Sequence, residues 1–136
     1  MAFVLDASVT MAWCFEDEAT PAADAVLDRL GQEEAVVPAL WRLEVANVLL
    51  AAERRRRVSE ATAARFVELL TALPIRVDPD PAGLTGLLAA GRRHGLSAYD
   101  ACYLVLAERL GVPLATLDEG LAAAGRAAGV AVLDQP

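Results

Sequence analysis

The chain contains no lysine: all 12 of its basic residues are arginine, and it has a single histidine, His94. A mechanism that depends on a lysine ammonium is excluded, and a zinc centre built on imidazoles is disfavoured. The two cysteines, Cys14 and Cys102, form no C-x-x-C pair. They read as small core residues in a reducing cytoplasm rather than as a disulfide or redox pair. No apolar run approaches the about 20 residues of a membrane span, and residues 101–107 are among the longest. The opening M-A-F-V-L-D has no basic region and meets an acid at Asp6, which argues against a signal peptide. The net charge of −7 argues against gripping nucleic acid by bulk electrostatics. Arginine pairs with phosphate through two parallel hydrogen bonds, so a nucleic-acid substrate stays open. Genome base composition is an equally adequate reason for an all-arginine set.

What is present is an alternation of short apolar runs and helical periodicity. There is no linker, low-complexity tract or internal repeat, and 136 residues suit one domain over 1–136. The pattern predicts strands over 3–5, 36–37, 75–77, 114–116 and 130–133. It predicts helices over 8–16, 21–30, 40–56, 59–73, 81–94, 97–110 and 119–128. Thr20, Ser59 and Ser97 are N-cap residues, and Gly31, Gly95 and Gly111 close helices. Strands separated by helices imply an α/β fold with a parallel sheet covered on both faces. Ligands of such sheets bind beyond the carboxyl ends of the strands. Asp6 and Asp118 follow the first and fourth strands, and they share one crevice if those strands are neighbours.

Four acids interrupt or close apolar stretches: Asp6, Glu44, Asp100 and Asp118. Three have a plain structural reading. Asp6 and Asp118 suit helix N-caps, and S-A-Y-D at 97–100 is a capping box. Glu44 lies mid-helix between Leu43 and Val45. It shares a face with Asn47, and the alternative is that both simply face solvent. That face also carries Leu40, Val48 and Ala51, which favours a functional role. Two carboxylates about 5 Å apart at an effective dielectric near 20 repel by roughly 3 kcal/mol. Four brought together need a cation, and an all-oxygen set selects a hard ion, Mg²⁺ or Mn²⁺. His94, among Arg92, Arg93 and Gly95, reads as a surface residue.

These segments, D-A-S at 6–8, E-V-A-N at 44–47, S-A-Y-D-A at 97–101 and T-L-D at 116–118, resemble the PIN-domain ribonucleases. Among these the chain is most similar to the VapC-type toxins of bacterial toxin–antitoxin pairs. The resemblance spans essentially the whole chain. It implies a three-layer α/β/α sandwich around a five-stranded parallel sheet, and an Mg²⁺-dependent endoribonuclease, with Mn²⁺ as the other candidate ion. Asp6, Glu44, Asp100 and Asp118 would then be the acidic quartet. Asp6, Asp100 and Asp118 would be direct ligands, with Glu44 on a second ion or acting through water. Ser8 and Thr116 match supporting hydroxyl positions, and Asn47 a polar position beside the site. The resemblance also implies an RNA substrate, a homodimer and a cognate VapB-type antitoxin whose tail covers the acidic groove.

Rival readings fall on particular residues. A haloacid-dehalogenase-like phosphatase needs a second Asp where Ser8 stands, and usually a lysine. A receiver domain also needs lysine, and the G-K-[ST] of a P-loop is absent. A non-catalytic module of the same fold, binding RNA or a partner, is the main alternative. Arg54, Arg55, Arg56 and Arg57 either close a helix, where cations offset its dipole, or contact RNA together with Arg92 and Arg93. Val48, Leu49, Phe66, Leu69 and Leu70 belong either to a dimer surface or to the core.

Overall fold

The computed structural model describes residues 1–133. The chain runs β1 (Ala2–Leu5), α1 (Ala7–Cys14), a short 3₁₀ turn (Glu16–Glu18), α2 (Pro21–Arg29), β2 (Glu34–Val37), α3 (Leu40–Arg54) and α4 (Glu60–Ala72). It continues with β3 (Ile75–Val77), α5 (Leu84–His94), α6 (Ala98–Leu110), β4 (Leu114–Ala115) and α7 (Glu119–Ala127). All strand pairs are parallel, in the order β3-β2-β1-β4. Val4 pairs with Val36 on one side and Leu114 on the other. The chain therefore builds outward from β1 to β3 and then returns to β1's free edge. That reversal places the ends of β1 and β4 side by side.

Successive strand residues point to opposite faces. Phe3, Val4, Leu5, Ala35, Val36 and Val37 are all fully buried, so both faces of β1 and β2 are covered. This is why the strands read as unbroken apolar runs rather than alternating ones. The expected caps form: Thr20, Ser59 and Ser97 hydroxyls accept from the N–H groups of Ala23, Thr62 and Asp100 at 3.0–3.1 Å. Gly95 and Gly111 end α5 and α6 in the left-handed region, both at φ 66°. Among the described residues, no helix is long and apolar enough to cross a membrane.

Among the described residues the sheet has four strands, not the five expected. The segment over 130–133 meets β4 at one isolated bridge, Leu114 to Val132. Two backbone bonds accompany it, Leu114 N–H to Ala131 O and Leu133 N–H to Leu114 O, both 2.8 Å. β4 is only two residues long, so it offers no longer edge for a fifth strand to follow. The helix expected over 81–94 begins only at Leu84. In D-P-D-P over 78–81 each residue before a proline is turned away from helical geometry, and Gly83 becomes the N-cap. The helix expected to reach 56 ends at Arg54, with Arg56 at φ 57°.

The apolar residues of α3 and α4 divide between the two roles expected of them. Leu49, Phe66 and Leu70 are core, whereas Val48 and Leu69 are exposed. Cys14 and Cys102 are free and half-buried rather than fully in the core.

Candidate active site

Asp6 sits at the end of β1 and is 5% exposed. It occupies the N-cap position of α1, but its side chain makes no cap bond. Instead its Oδ2 accepts from Ser8 Oγ at 2.6 Å and from Thr116 Oγ1 at 2.7 Å. The hydroxyls are themselves fixed. Leu117 N–H donates to Ser8 Oγ, and Asp118 N–H to Thr116 Oγ1, each at 3.0 Å. The Asp6 N–H bonds Ala115 O across the β1–β4 pairing at 3.0 Å. The first and last strands thus lock one carboxylate in place. Burial pushes the Asp6 carboxyl above its ordinary value. The two hydroxyls and the Ala7 N–H offset part of that rise, and the charge of Asp118 adds to it.

Asp118 is the N-cap of α7, its Oδ1 accepting from Leu121 N–H at 3.1 Å. A Cβ at position 120 would stand 3.2 Å from that oxygen, so Gly120 leaves the carboxylate room. Asp100, in the first turn of α6, is half-buried. The Ser97 side of the capping box forms, but among the described residues the Asp100 carboxylate returns no bond to Ser97. Its carboxyl is pushed up to about 6, by burial first and then by the charges of Asp118, Asp6 and Glu44.

Glu44 is half-buried in the second turn of α3, not on an outer solvent face. The helix is pinned to α1 by a buried bond from Trp41 Nε1 to Thr10 Oγ1, 3.0 Å long. The Glu44 Oε1 accepts a short hydrogen bond from the hydroxyl of Tyr103, on α6. Burial raises the Glu44 carboxyl, the Tyr103 bond lowers it, and Asp6 raises it again. The Tyr103 phenol is itself held far above its ordinary range by burial and by Glu44, so it stays a donor.

Four separate segments therefore place their acids in one electrostatic neighbourhood. Among the described residues none of the four has an arginine partner; the ion pairs join Arg29, Arg57, Arg76 and Arg109 to other acids. Mutually repelling carboxylates, one buried, two half-buried and one exposed, with no arginine partner among the described residues, fit a hard divalent cation in donor type and in charge. As the side chains stand, no group of three or more His, Cys, Asp or Glu among the described residues forms a metal cage. A cavity of about 310 Å³ bounded by Leu40, Asp78, Cys102 and Arg109 lies beside α3 and α6, but none of the four acids lines it.

The other expected residues separate. Asn47 is exposed and bonds none of the acids among the described residues. Arg54 is ten residues beyond Glu44, about 15 Å along the helix axis. Arg57 binds Asp17 and Glu18 at 3.1 and 3.4 Å and stacks on Phe15 at 4.3 Å. It ties α3 to the turn after α1. Arg92 and Arg93 are exposed in the last turn of α5, next to the turn that opens α6. His94 is half-buried rather than on the surface. Sequence reasoning missed Tyr103. Its one signal is its place three residues after Asp100, on the same helix face.

Comparisons with known proteins bear on the family and the fold. Residues 3–127 match the family model of the PIN domain. Ribonuclease VapC3 from Pyrobaculum aerophilum is 32% identical over 124 residues, covering 90% of this chain and 93% of that protein. PAE2754 from Pyrobaculum aerophilum superposes with a TM-score of 0.75 at 23% identity, over 98% of this chain and 90% of that one. VapBC2 from Rickettsia felis, bound to a DNA fragment from its promoter, gives 0.70 at 9% identity over 97% of each chain. FitAcB from Neisseria gonorrhoeae gives 0.54 at 22% identity, over 97% of this chain and 96% of that one. These three solved structures are alike in fold. The family match over residues 3–127 and the identity to a VapC ribonuclease show that the chain belongs to the PIN-domain family.

Proposed function

We propose that this chain is a metal-dependent endoribonuclease and the toxin half of a VapBC-type toxin–antitoxin pair. The observation that carries the reading is the shared field of Asp6, Glu44, Asp100 and Asp118, in which Asp100 is pushed up to about 6 and none of the four has an arginine ion-pair partner among the described residues. Asp6, Asp100 and Asp118 would hold Mg²⁺, or Mn²⁺, with Glu44 on a second ion or acting through water. Bound there, the ion supplies Lewis acidity toward the phosphate and lowers the pKa of a water at neutral pH. Asp6 is already anchored by Ser8 and Thr116 and needs no rearrangement. Half-buried Asp100 and exposed Asp118 have room to turn toward it. Arg92 and Arg93, both exposed, are the arginines we assign to the RNA backbone; Arg57 is already paired to two acids.

The chain works as one domain in the cytoplasm, pairs with a second copy, and is silenced by a VapB-type antitoxin that covers the acids. The test is cleavage of RNA by the purified chain, abolished by EDTA and restored by Mg²⁺. Asp6→Asn and Asp100→Asn each lower the rate by at least a hundredfold; full activity in either variant overturns the assignment. The lack of a ready cage favours one second reading, a PIN-fold module that binds RNA or a partner without cutting it. Metal-replete protein that binds RNA and leaves it intact would decide for that reading.

A further inference from the structure

Glu44 reaches the acidic neighbourhood from α3, a helix that carries no other member of the quartet. Its carboxylate has one hydrogen-bond partner among the described residues, the hydroxyl of Tyr103. Tyr103 is fully buried, so its ring has a single packed position. It stands on α6 three residues after Asp100. One phenolic oxygen therefore joins α6 to α3. These are the elements that carry Asp100 and Glu44.

A glutamate on a helix has three side-chain torsions, and holding it at a half-exposed site costs rotamer entropy. A donor that fixes one carboxylate oxygen meets part of that cost in advance and leaves the other oxygen to face the centre. We propose that Tyr103 is a positioning residue: it sets the direction of Glu44 relative to Asp6 and Asp100, so that Glu44 presents Oε2 alone to the ion. This rests on the nuclease reading above for the identity of the ion, but not for the geometry. Groups that orient metal ligands from behind contribute about 10–100-fold to metal affinity or activity.

Tyr103→Phe keeps the ring and removes the hydroxyl. Three measurements on the full chain decide the matter. Mn²⁺ affinity, read by electron paramagnetic resonance without RNA, should weaken about tenfold or more, with a melting temperature within a few degrees of the parent. Tyr103→Phe combined with Glu44→Gln should bind Mn²⁺ no more weakly than Glu44→Gln alone, because both changes act through one carboxylate. A metal-free crystal structure of Tyr103→Phe should show the Glu44 side chain moved from its place. Unchanged Mn²⁺ affinity, additive losses or an unmoved Glu44 each overturn the proposal. A parent chain that neither binds Mn²⁺ nor cuts RNA defeats the nuclease reading instead, and the metal-free crystal comparison still decides for or against Tyr103.

Discussion

Asp100→Asn should make the metal-free protein more stable while disabling it. The Asp100 carboxyl titrates near 6 in the folded chain, against an ordinary 3.8. Because the folded value is the higher one, the ionised carboxylate works against folding. That cost is absent below 3.8, grows between 3.8 and 6, and is fully present above 6. The difference corresponds to about 3 kcal/mol. Solvent reaching the half-buried group screens roughly half of this. The anion also gains about 0.3–1 kcal/mol from the helix N-terminus, which asparagine gives up. A net gain of about 0.5–1 kcal/mol remains, raising Tm by about 2–4 °C. The assay is thermal denaturation at pH 7.5 in EDTA, repeated at pH 3.5 and in excess Mg²⁺. The variant should melt above the parent in EDTA at pH 7.5 and lose that advantage at pH 3.5. In Mg²⁺ it should fall below the parent, because a ligand that binds only the folded state stabilises whichever protein binds it better. A variant that melts no higher than the parent in EDTA at pH 7.5 would show that burial and the neighbouring acids together do not burden the Asp100 anion.

Thr116→Val removes the hydroxyl that serves both Asp6 and Asp118; urea denaturation should show a loss of about 2–3 kcal/mol, and a loss under 0.5 kcal/mol would count against the β1–β4 lock. Arg57→Ala should cost about 1 kcal/mol through its ion pairs and its ring contact, seen as an earlier urea midpoint. Arg92→Ala with Arg93→Ala should flatten the slope of log affinity for single-stranded RNA against log salt by about 1.4; an unchanged slope would place the RNA elsewhere. Leu69 is 57% exposed on α4, and Leu69→Glu should convert a dimer to monomer in light scattering if that helix supplies the dimer surface.

Local signals carried most of the secondary structure into view. Thr20, Ser59 and Ser97 announced their helices because a hydroxyl at an N-cap acts within three residues. The fully buried strands announced the covered parallel sheet because no polar residue interrupts them. The identities of the four acids were legible as charges in apolar stretches, but their convergence was not. It depends on β4 returning to β1, a pairing no window of sequence contains. Tyr103 was invisible for a related reason. A tyrosine in A-C-Y-L-V-L-A reads as core, and it is core; only the position of α3 reveals where its hydroxyl points. The missing fifth strand and the late start of α5 follow from edge length and from the D-P-D-P segment, where tertiary pairing and proline sterics override apolar content.

The bond from Thr116 to Asp6 spans 110 positions of sequence. Ribosomal synthesis releases Asp6 long before Thr116, so the growing polypeptide emerges with its anchoring hydroxyl still unmade. Closing so long a loop is slow and costs entropy that only native packing repays. An incomplete copy thus lacks the clamp on Asp6, which closes only when β4 has docked beside β1.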